Sequence, residues 1–341
     1  MFKELSIKRI TPTQIKQVCD ITVDVDHSYV GNGFVNHNCV NPNVQNITQP
    51  DRIKNPIAKS AATHVKKIFA VPKGYTWVQC DYSQLELRLI AWYSQCKYML
   101  DAYDKDIDLH SLTAADVAGI SLEEFFTWDK KKRKLARFQA KAVNFGWNYG
   151  QSPKGFQEYA KNNYGLEFTL AYCEELREIY FDKRPEILSY HDLYLAKANQ
   201  FKYVRTRFGS KIHLEDIDSW EKFKVGSAER LAINAPIQGS GGQINTFAAL
   251  QIQKYLNPST RFILSVHDSN NYYIKNEYLD EEIGKIKYLS ENLPIEEYFG
   301  VTFDSTDKKR GVKLKVDIET TTTTWKDLQE LPKDYKYQNI F

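Results

Sequence analysis

An apolar run broken by one carboxylate constrains this chain more than any other stretch. In VQCDYSQLELRLIAW, residues 78–92, apolar Trp77 and Val78 lead to Asp81. Beyond it Leu85, Leu87, Leu89, Ile90 and Trp92 are apolar, with Glu86 and Arg88 among them. The pattern predicts a buried strand that ends in an exposed carboxylate and is followed by a helix. A carboxylate at the end of a central strand calls for a partner charge, and a divalent metal is one candidate.

A second carboxylate lies in RFILSVHDSNNYYIK, residues 261–275. Ile263, Leu264 and Val266 lead into His267 and Asp268, and Tyr272, Tyr273 and Ile274 resume strand-forming composition. This predicts a β-hairpin with Asp268 near its turn. If both strands share one sheet, Asp81 and Asp268 can face a pair of metal ions about 3.5–4 Å apart, the arrangement used for in-line displacement at phosphorus. Alone, the two aspartates read more readily as turn residues. A third stretch, KLARFQAKAVNFGWNYG (134–150), alters the balance. Arg137, Lys141, Phe145 and Tyr149 recur every four residues, so a helix places two cations and two aromatics along one stripe. Such a stripe suits a triphosphate followed by a sugar and base.

Together the three stretches resemble motifs A, B and C of the family A DNA polymerases, the bacterial polymerase I type. NPNVQNI (41–47), DLHSLTAADV (108–117), TRFGSK (206–211), ERLAINAPIQGSGG (229–242) and VKLKVDIETTTTTW (312–325) are similar to further landmarks in the family's order. The resemblance covers most of residues 40–326. It implies an α+β fold, a right-hand palm built on an antiparallel sheet with helical fingers. Palm would occupy 39–128 and 206–331, fingers 129–205, and a polar tail 332–341.

The resemblance also implies roles. Two Mg2+ ions would be held by Asp81, Asp268 and the backbone carbonyl of Tyr82. Arg137 and Lys141 would hold the triphosphate, Lys141 also serving the leaving pyrophosphate. Phe145 would sit at the sugar 3′ position, Tyr149 at the nascent pair, and His110 beside the phosphates. Glu86 would crowd the 2′ position and so favour deoxyribonucleotides; Gln84 and Arg88 are weaker candidates. Asn43, Gln45, Asn46, Arg230, Asn234, Gln238 and His267 would face primer-template DNA. Pro236 is expected to interrupt or kink its helix, and Gly146 and Gly150 to let bases approach closely. TRFGSK is expected near backbone phosphates.

Motif C departs from the family pattern, with Ser269 where a glutamate is usual. The HDS form also resembles phage-type single-subunit RNA polymerases. Glu86 discriminates, because those enzymes carry a small residue there to admit the 2′-hydroxyl. A further alternative, from another class, is a decayed polymerase body serving only as a DNA-binding module.

Residues 18–39, VCDITVDVDHSYVGNGFVNHNC, read differently: strand-like segments, a turn at Gly31 and Gly33, then His37, Asn38 and Cys39. An asparagine side chain can attack its own carbonyl carbon and cut the chain after itself. A neighbouring histidine can relay the proton, and a following cysteine can receive an acyl group. The segment resembles the C-terminal blocks of inteins, a small all-β fragment over 1–38, with Asp20 and His27 at the assisting positions. The resemblance implies a split intein whose other half lies behind an upstream polymerase portion, with Cys39 joined to that partner by trans-splicing. Thumb and proofreading domains would then belong to the partner.

Net charge is only +3, yet Lys130, Lys131, Lys132, Arg133, Lys134, Arg137 and Lys141 fall within one short segment, as a surface facing a polyanion would need. The five cysteines show no paired metal-ligand spacing, and their odd number fits a reducing, cytoplasmic setting. No secretory signal and no apolar run near the roughly eighteen residues of a membrane span is visible, so no membrane partner is expected.

Overall fold

The computed structural model describes residues 29–31, 34–36, 56–300, 311–332 and 335. The chain divides into two compact units, Met1–Val65 and Lys66–Phe341. In the first, β1 (Tyr29–Gly31) and β2 (Phe34–Asn36) pair antiparallel, with Val30 opposite Val35. Asp20, His27, His37, Asn38, Cys39, Asn43, Gln45 and Asn46 lie outside the described residues. Helix α1 covers Pro56–Ile68.

The second unit runs β3 (Tyr75–Tyr82), α2 (Leu85–Ser94), α3 (Lys97–Asp104), α4 (Leu109–Ala118), α5 (Leu122–Thr127), α6 (Lys130–Asn148), α7 (Pro153–Tyr159), α8 (Leu170–Asp182) and α9 (Pro185–Phe201). A short hairpin follows, β4 (Tyr203–Arg205) with β5 (Lys211–His213), then α10 (Lys222–Gln253), β6 (Arg261–Val266), β7 (Ser269–Lys275), α11 (Leu279–Glu291), α12 (Ile295–Phe299), β8 (Val316–Thr321) and β9 (Gln329–Glu330). The main sheet is antiparallel throughout, in the order β6-β7-β3-β8-β9. The predicted strand-carboxylate-helix unit is thus β3 and α2, except that Asp81 is half-buried and not exposed as expected, and the predicted hairpin is β6 and β7, beside β3 in the same sheet.

Alternation along β3 divides its side chains between two environments. Val78, Cys80 and Tyr82 are buried in the core with Tyr272, Ile274, Val316 and Ile318, under α11, which brings Ile283 and Ile286. The Tyr82 hydroxyl donates to the carbonyl of Ser290 at 2.9 Å. On the opposite face Trp77 stacks on Trp325 at 5.7 Å and meets Phe69 and Tyr273 edge-on. Farther along that face stand Gln79 and then Asp81, so it passes from dry to polar along the strand.

Helices α8 and α9 divide at Pro185, the first residue of α9, where a fixed φ and a missing N–H cost nothing. Pro236 does not interrupt its helix. Helix α10 continues through it for 32 residues without interruption. Two tyrosines serve the backbone around the missing donor: the Tyr190 hydroxyl donates to the carbonyl of Ile233 at 2.6 Å, and that of Tyr93 to the carbonyl of Pro236 at 3.2 Å. The donor a proline withholds belongs to the carbonyl four residues back, that of Ala232, so these two bonds lie beside the break and do not fill it. Among the described residues no helix is long and apolar enough to cross a membrane.

Candidate active site

Asp81 sits near the end of β3, opposite Ser269 of β7 on one side and Asp317 of β8 on the other. Asp268 lies in the two-residue turn between β6 and β7, where His267 takes φ 54°, the left-handed region. That turn is held from α10. Asn245 Nδ2 donates to Ser265 Oγ at 2.8 Å and to the His267 carbonyl at 3.2 Å, while its Oδ1 accepts from Asn270 at 2.8 Å. The Tyr82 N–H donates to the Asp268 carbonyl at 3.1 Å, tying the turn to the end of β3.

Both carboxyls are perturbed upward. Burial, followed by the charge of Asp268 and then those of Glu319 and Asp317, pushes Asp81 up to about 8. Asp268 is also raised, chiefly by burial. Two half-buried carboxyls that repel each other are a donor set suited to a hard divalent cation. Ser269 adds no charge to it. Its side chain is buried and donates to the Val266 carbonyl at 2.9 Å, closing the turn. The Tyr82 side chain points into the core, which leaves its backbone carbonyl as the only oxygen it can offer. Among the described residues no three His, Cys, Asp or Glu side chains group as a metal site.

Glu86, in the first turn of α2, is pushed up to about 7 by burial and then by Asp268. Its carboxylate accepts from the Tyr149 hydroxyl. Tyr149 caps the C-terminus of α6, and the four-residue stripe follows that helix back from it. The Phe145 ring lies 5.8 Å from Tyr149 and 6.0 Å from His110, with Lys141 Nζ 5.9 Å away. The Lys141 charge also favours the ionised form of Asp268.

A second cluster surrounds Asp108, the N-cap of α4. It accepts from Arg137 Nε at 2.8 Å and Nη2 at 3.0 Å, from Gln84 Nε2 at 2.7 Å, and from the Ser111 N–H at 2.9 Å. Burial opposes ionisation, but the bonds from Arg137 and Ser111 outweigh it and hold the carboxyl down at about 2. His110 is 4% exposed, and burial pulls its imidazole down to about 4. Gln84 links the two clusters, lying two residues before Glu86, and Arg88 is a structural tie, donating to the carbonyls of Ser83 and Lys313.

On α10, Arg230, Asn234 and Gln238 follow one helical stripe; Arg230 and Gln238 are exposed, and Asn234 Nδ2 donates to the Tyr149 carbonyl at 3.4 Å. His267 is exposed at the hairpin tip. Three expectations are corrected. A Cβ at Gly146 would lie 2.3 Å from the Phe156 ring, so this glycine serves packing against α7 and not approach of a base. Gly150 has φ +68° and faces Ile233, so it serves the turn after α6. Arg207 of TRFGSK turns inward, lying over Trp92 at 4.0 Å and donating to the Trp92 carbonyl. Sequence reasoning passed over Asp108, Asn144, Asn245 and Asp317. Only Asp108 carried a local signal, an aspartate three residues before a serine at a helix start.

The sequence profile of DNA polymerase family A matches residues 32–327. The chain belongs to DNA polymerase family A. Among family A relatives, DNA polymerase I of Pseudomonas aeruginosa is 33% identical over 251 residues, covering 73% of this chain and 25% of that protein. The DNA polymerase of Bacillus phage SP01 is 31% identical over 257 residues, covering 74% and 27%. The chain thus spans about a quarter of the length of these curated relatives. The polymerase domain of Pol1 from M. smegmatis, solved in complex with DNA primer-template and dNTP, superposes with a TM-score of 0.69. It is 24% identical, with coverage of 88% of this chain and 48% of that one. The fold is accordingly mixed α and β, an antiparallel sheet carrying many helices.

Proposed function

We propose that this chain carries the nucleotidyl-transfer site of a template-directed DNA polymerase and extends a primer 3′-hydroxyl with deoxynucleoside triphosphates. The observation that carries the reading is the convergence of Asp81 and Asp268 from adjacent strands beside Lys141, Glu86 and Tyr149. Asp81, Asp268 and the Tyr82 carbonyl would hold two Mg2+ ions. Bound there, the ions would act as Lewis acids on the attacking hydroxyl and offset charge on the leaving pyrophosphate.

The chain's own groups do the rest. Arg137, released from Asp108, and Lys141 bind the triphosphate, and Lys141 can give a proton to pyrophosphate. His110 and Gln84 border the phosphates and sugar. Phe145 packs at the 3′ position, Glu86 crowds the 2′ position, and Tyr149 moves from Glu86 to stack near the nascent pair. Arg230, Asn234, Gln238 and His267, with Asn43, Gln45 and Asn46, face primer and template. Residues 129–205 act as fingers on a palm that contains motifs A and C. Ser269 favours a second reading, a phage-type RNA polymerase, and Glu86 opposes it.

Residues 1–38 are proposed to be a split-intein half. Asp20, His27 and His37 assist cyclisation of Asn38, and Cys39 receives the upstream polymerase half. Mixing the chain with that half and following intact mass tests the splicing. Primer extension of the joined product with deoxy- and ribonucleotides tests the enzyme. A product without residues 1–38 that extends only with deoxynucleotides supports both readings. Joining without extension refutes the polymerase reading alone.

A further inference from the structure

Asn144 is fully buried in α6, between Lys141 and Phe145, and its amide has a forced orientation. Nδ2 donates to the Ala140 carbonyl at 3.0 Å, a group that can only accept. Oδ1 accepts from Thr113 Oγ1 at 3.1 Å. Thr113 Oγ1 in turn accepts from Arg184 Nη2 at 2.9 Å, so its single hydrogen is committed to Asn144. Arg184 can only donate, and nothing about it is adjustable. It is 0% exposed, paired with Asp116 at 2.9 Å, and flanked by the rings of Tyr98 and Tyr180 at 4.8 and 4.4 Å.

The second hydrogen of Asn144 Nδ2 meets His110 Nδ1 at 3.1 Å. A ring nitrogen that accepts carries no proton, so the proton of the neutral imidazole must sit on Nε2. Every donor along Arg184, Thr113, Asn144 and His110 therefore points the same way, and the Ala140 carbonyl and buried Arg184 together fix the tautomer of a histidine at the site.

We propose that Asn144 is a positioning residue that holds His110 as its Nε2–H tautomer, presenting a neutral, directed donor to a phosphate oxygen of the bound nucleotide. The role toward phosphate rests on this being a nucleotide site; the hold on the ring does not. The charged groups around His110 are Asp108 at the start of its own helix and Arg137 and Lys141 on α6. Those two cations already offset phosphate charge, so a neutral N–H adds direction without a third positive charge. Burial acts with them against protonation, which keeps the ring neutral well below pH 6.

Ring-nitrogen NMR of the full chain labelled on histidine, with His110 assigned by loss of its signals in His110→Gln, tests the hold directly. The expected wild-type pattern is a protonated Nε2 and a bare Nδ1 from pH 8 to pH 5. A wild-type spectrum with Nδ1 protonated overturns the proposal, whatever the variants do. Asn144→Asp replaces the donor by an acceptor of the same shape, so Nδ1 is expected to gain a proton; a folded variant with an unchanged tautomer also overturns it. Binding of dGTP with Mg2+ should weaken about tenfold in Asn144→Asp, one lost directed hydrogen bond. A switched tautomer with unchanged dGTP affinity overturns the role toward phosphate. The expected tautomers with no dGTP binding even by wild type support the hold on the ring and refute the nucleotide reading of the site.

Discussion

Arg137 grips Asp108 with two nitrogens of one guanidinium, at 2.8 and 3.0 Å, across the gap between α6 and α4. The Arg137 side chain is half exposed, so the pair contributes about 1 kcal/mol at neutral pH. The folded-state pKa of Asp108 lies below the ordinary 3.8, so its contribution is complete above that value and disappears as pH falls towards 2. Asp108→Asn keeps an N-cap for α4 and removes the charge. Acid titration of stability, followed by circular dichroism, should show wild type losing its advantage over this variant between about pH 4 and pH 2.

Glu86 and Tyr149 occupy each other in the absence of substrate. Removing the carboxylate clears the space that a ribose 2′-hydroxyl needs, so Glu86→Ala should incorporate ribonucleotides at least tenfold more readily relative to deoxynucleotides, about 1.4 kcal/mol in discrimination. Single-nucleotide insertion by the joined enzyme measures the ratio. An unchanged ratio would show that Glu86 does not face the sugar.

Asp81 and Asp268 work against the fold that holds them. Their raised pKa values mean that, with no cation bound, folding at neutral pH must return a proton to the pair or confine its charge, whereas the unfolded chain leaves both carboxyls ionised in water, and this costs stability. Asp81→Asn should therefore melt higher than wild type in chelator at pH 7.5, by about 3–5 °C, with the gap closing below pH 4, where the free carboxyl is protonated in both states. The same variant should lose primer extension while retaining primer-template binding. A lower melting temperature would place the stabilising partner of Asp81 elsewhere.

Gly146→Ala puts a methyl group into the Phe156 ring. With the contact at 2.3 Å something must shift, and a cost of about 1–3 kcal/mol in chemical denaturation is expected. Pairing the change with Phe156→Leu should recover part of the loss. Purely additive costs in the double variant would mean that the ring is not what the methyl meets.

The features that sequence made visible are those written in local spacing. The strand that ends at Asp81, the hairpin around Asp268 and the stripe from Arg137 to Tyr149 each declare themselves within fifteen residues or so, through periods of two or four. The partners of those residues are remote in sequence. Asp108 finds Arg137, Thr113 finds Asn144 and Asn245 finds the His267 turn only once helices pack, and no spacing announces such meetings. Whether Pro236 would end its helix was likewise not legible locally: α10 runs on through it, packed against Tyr93 and Tyr190 from other helices, whose hydroxyls bond the carbonyls of Pro236 and Ile233.

Strand β3 is paired on both edges at the same residue, Ser269 on one side and Asp317 on the other. Side chains alternate, so strand position works as a parity: a slip of one residue turns Asp81 into the core and brings Cys80 to the polar face. Substitutions along 75–82 leave that parity untouched, whereas a single inserted or deleted residue reverses it. Descendants of this chain are thus free to drift in letters along the strand and not in count. Changes of length are expected in connections such as 165–169 and 254–260, and homologous sequences should align without gaps through 75–82 even where few identities survive.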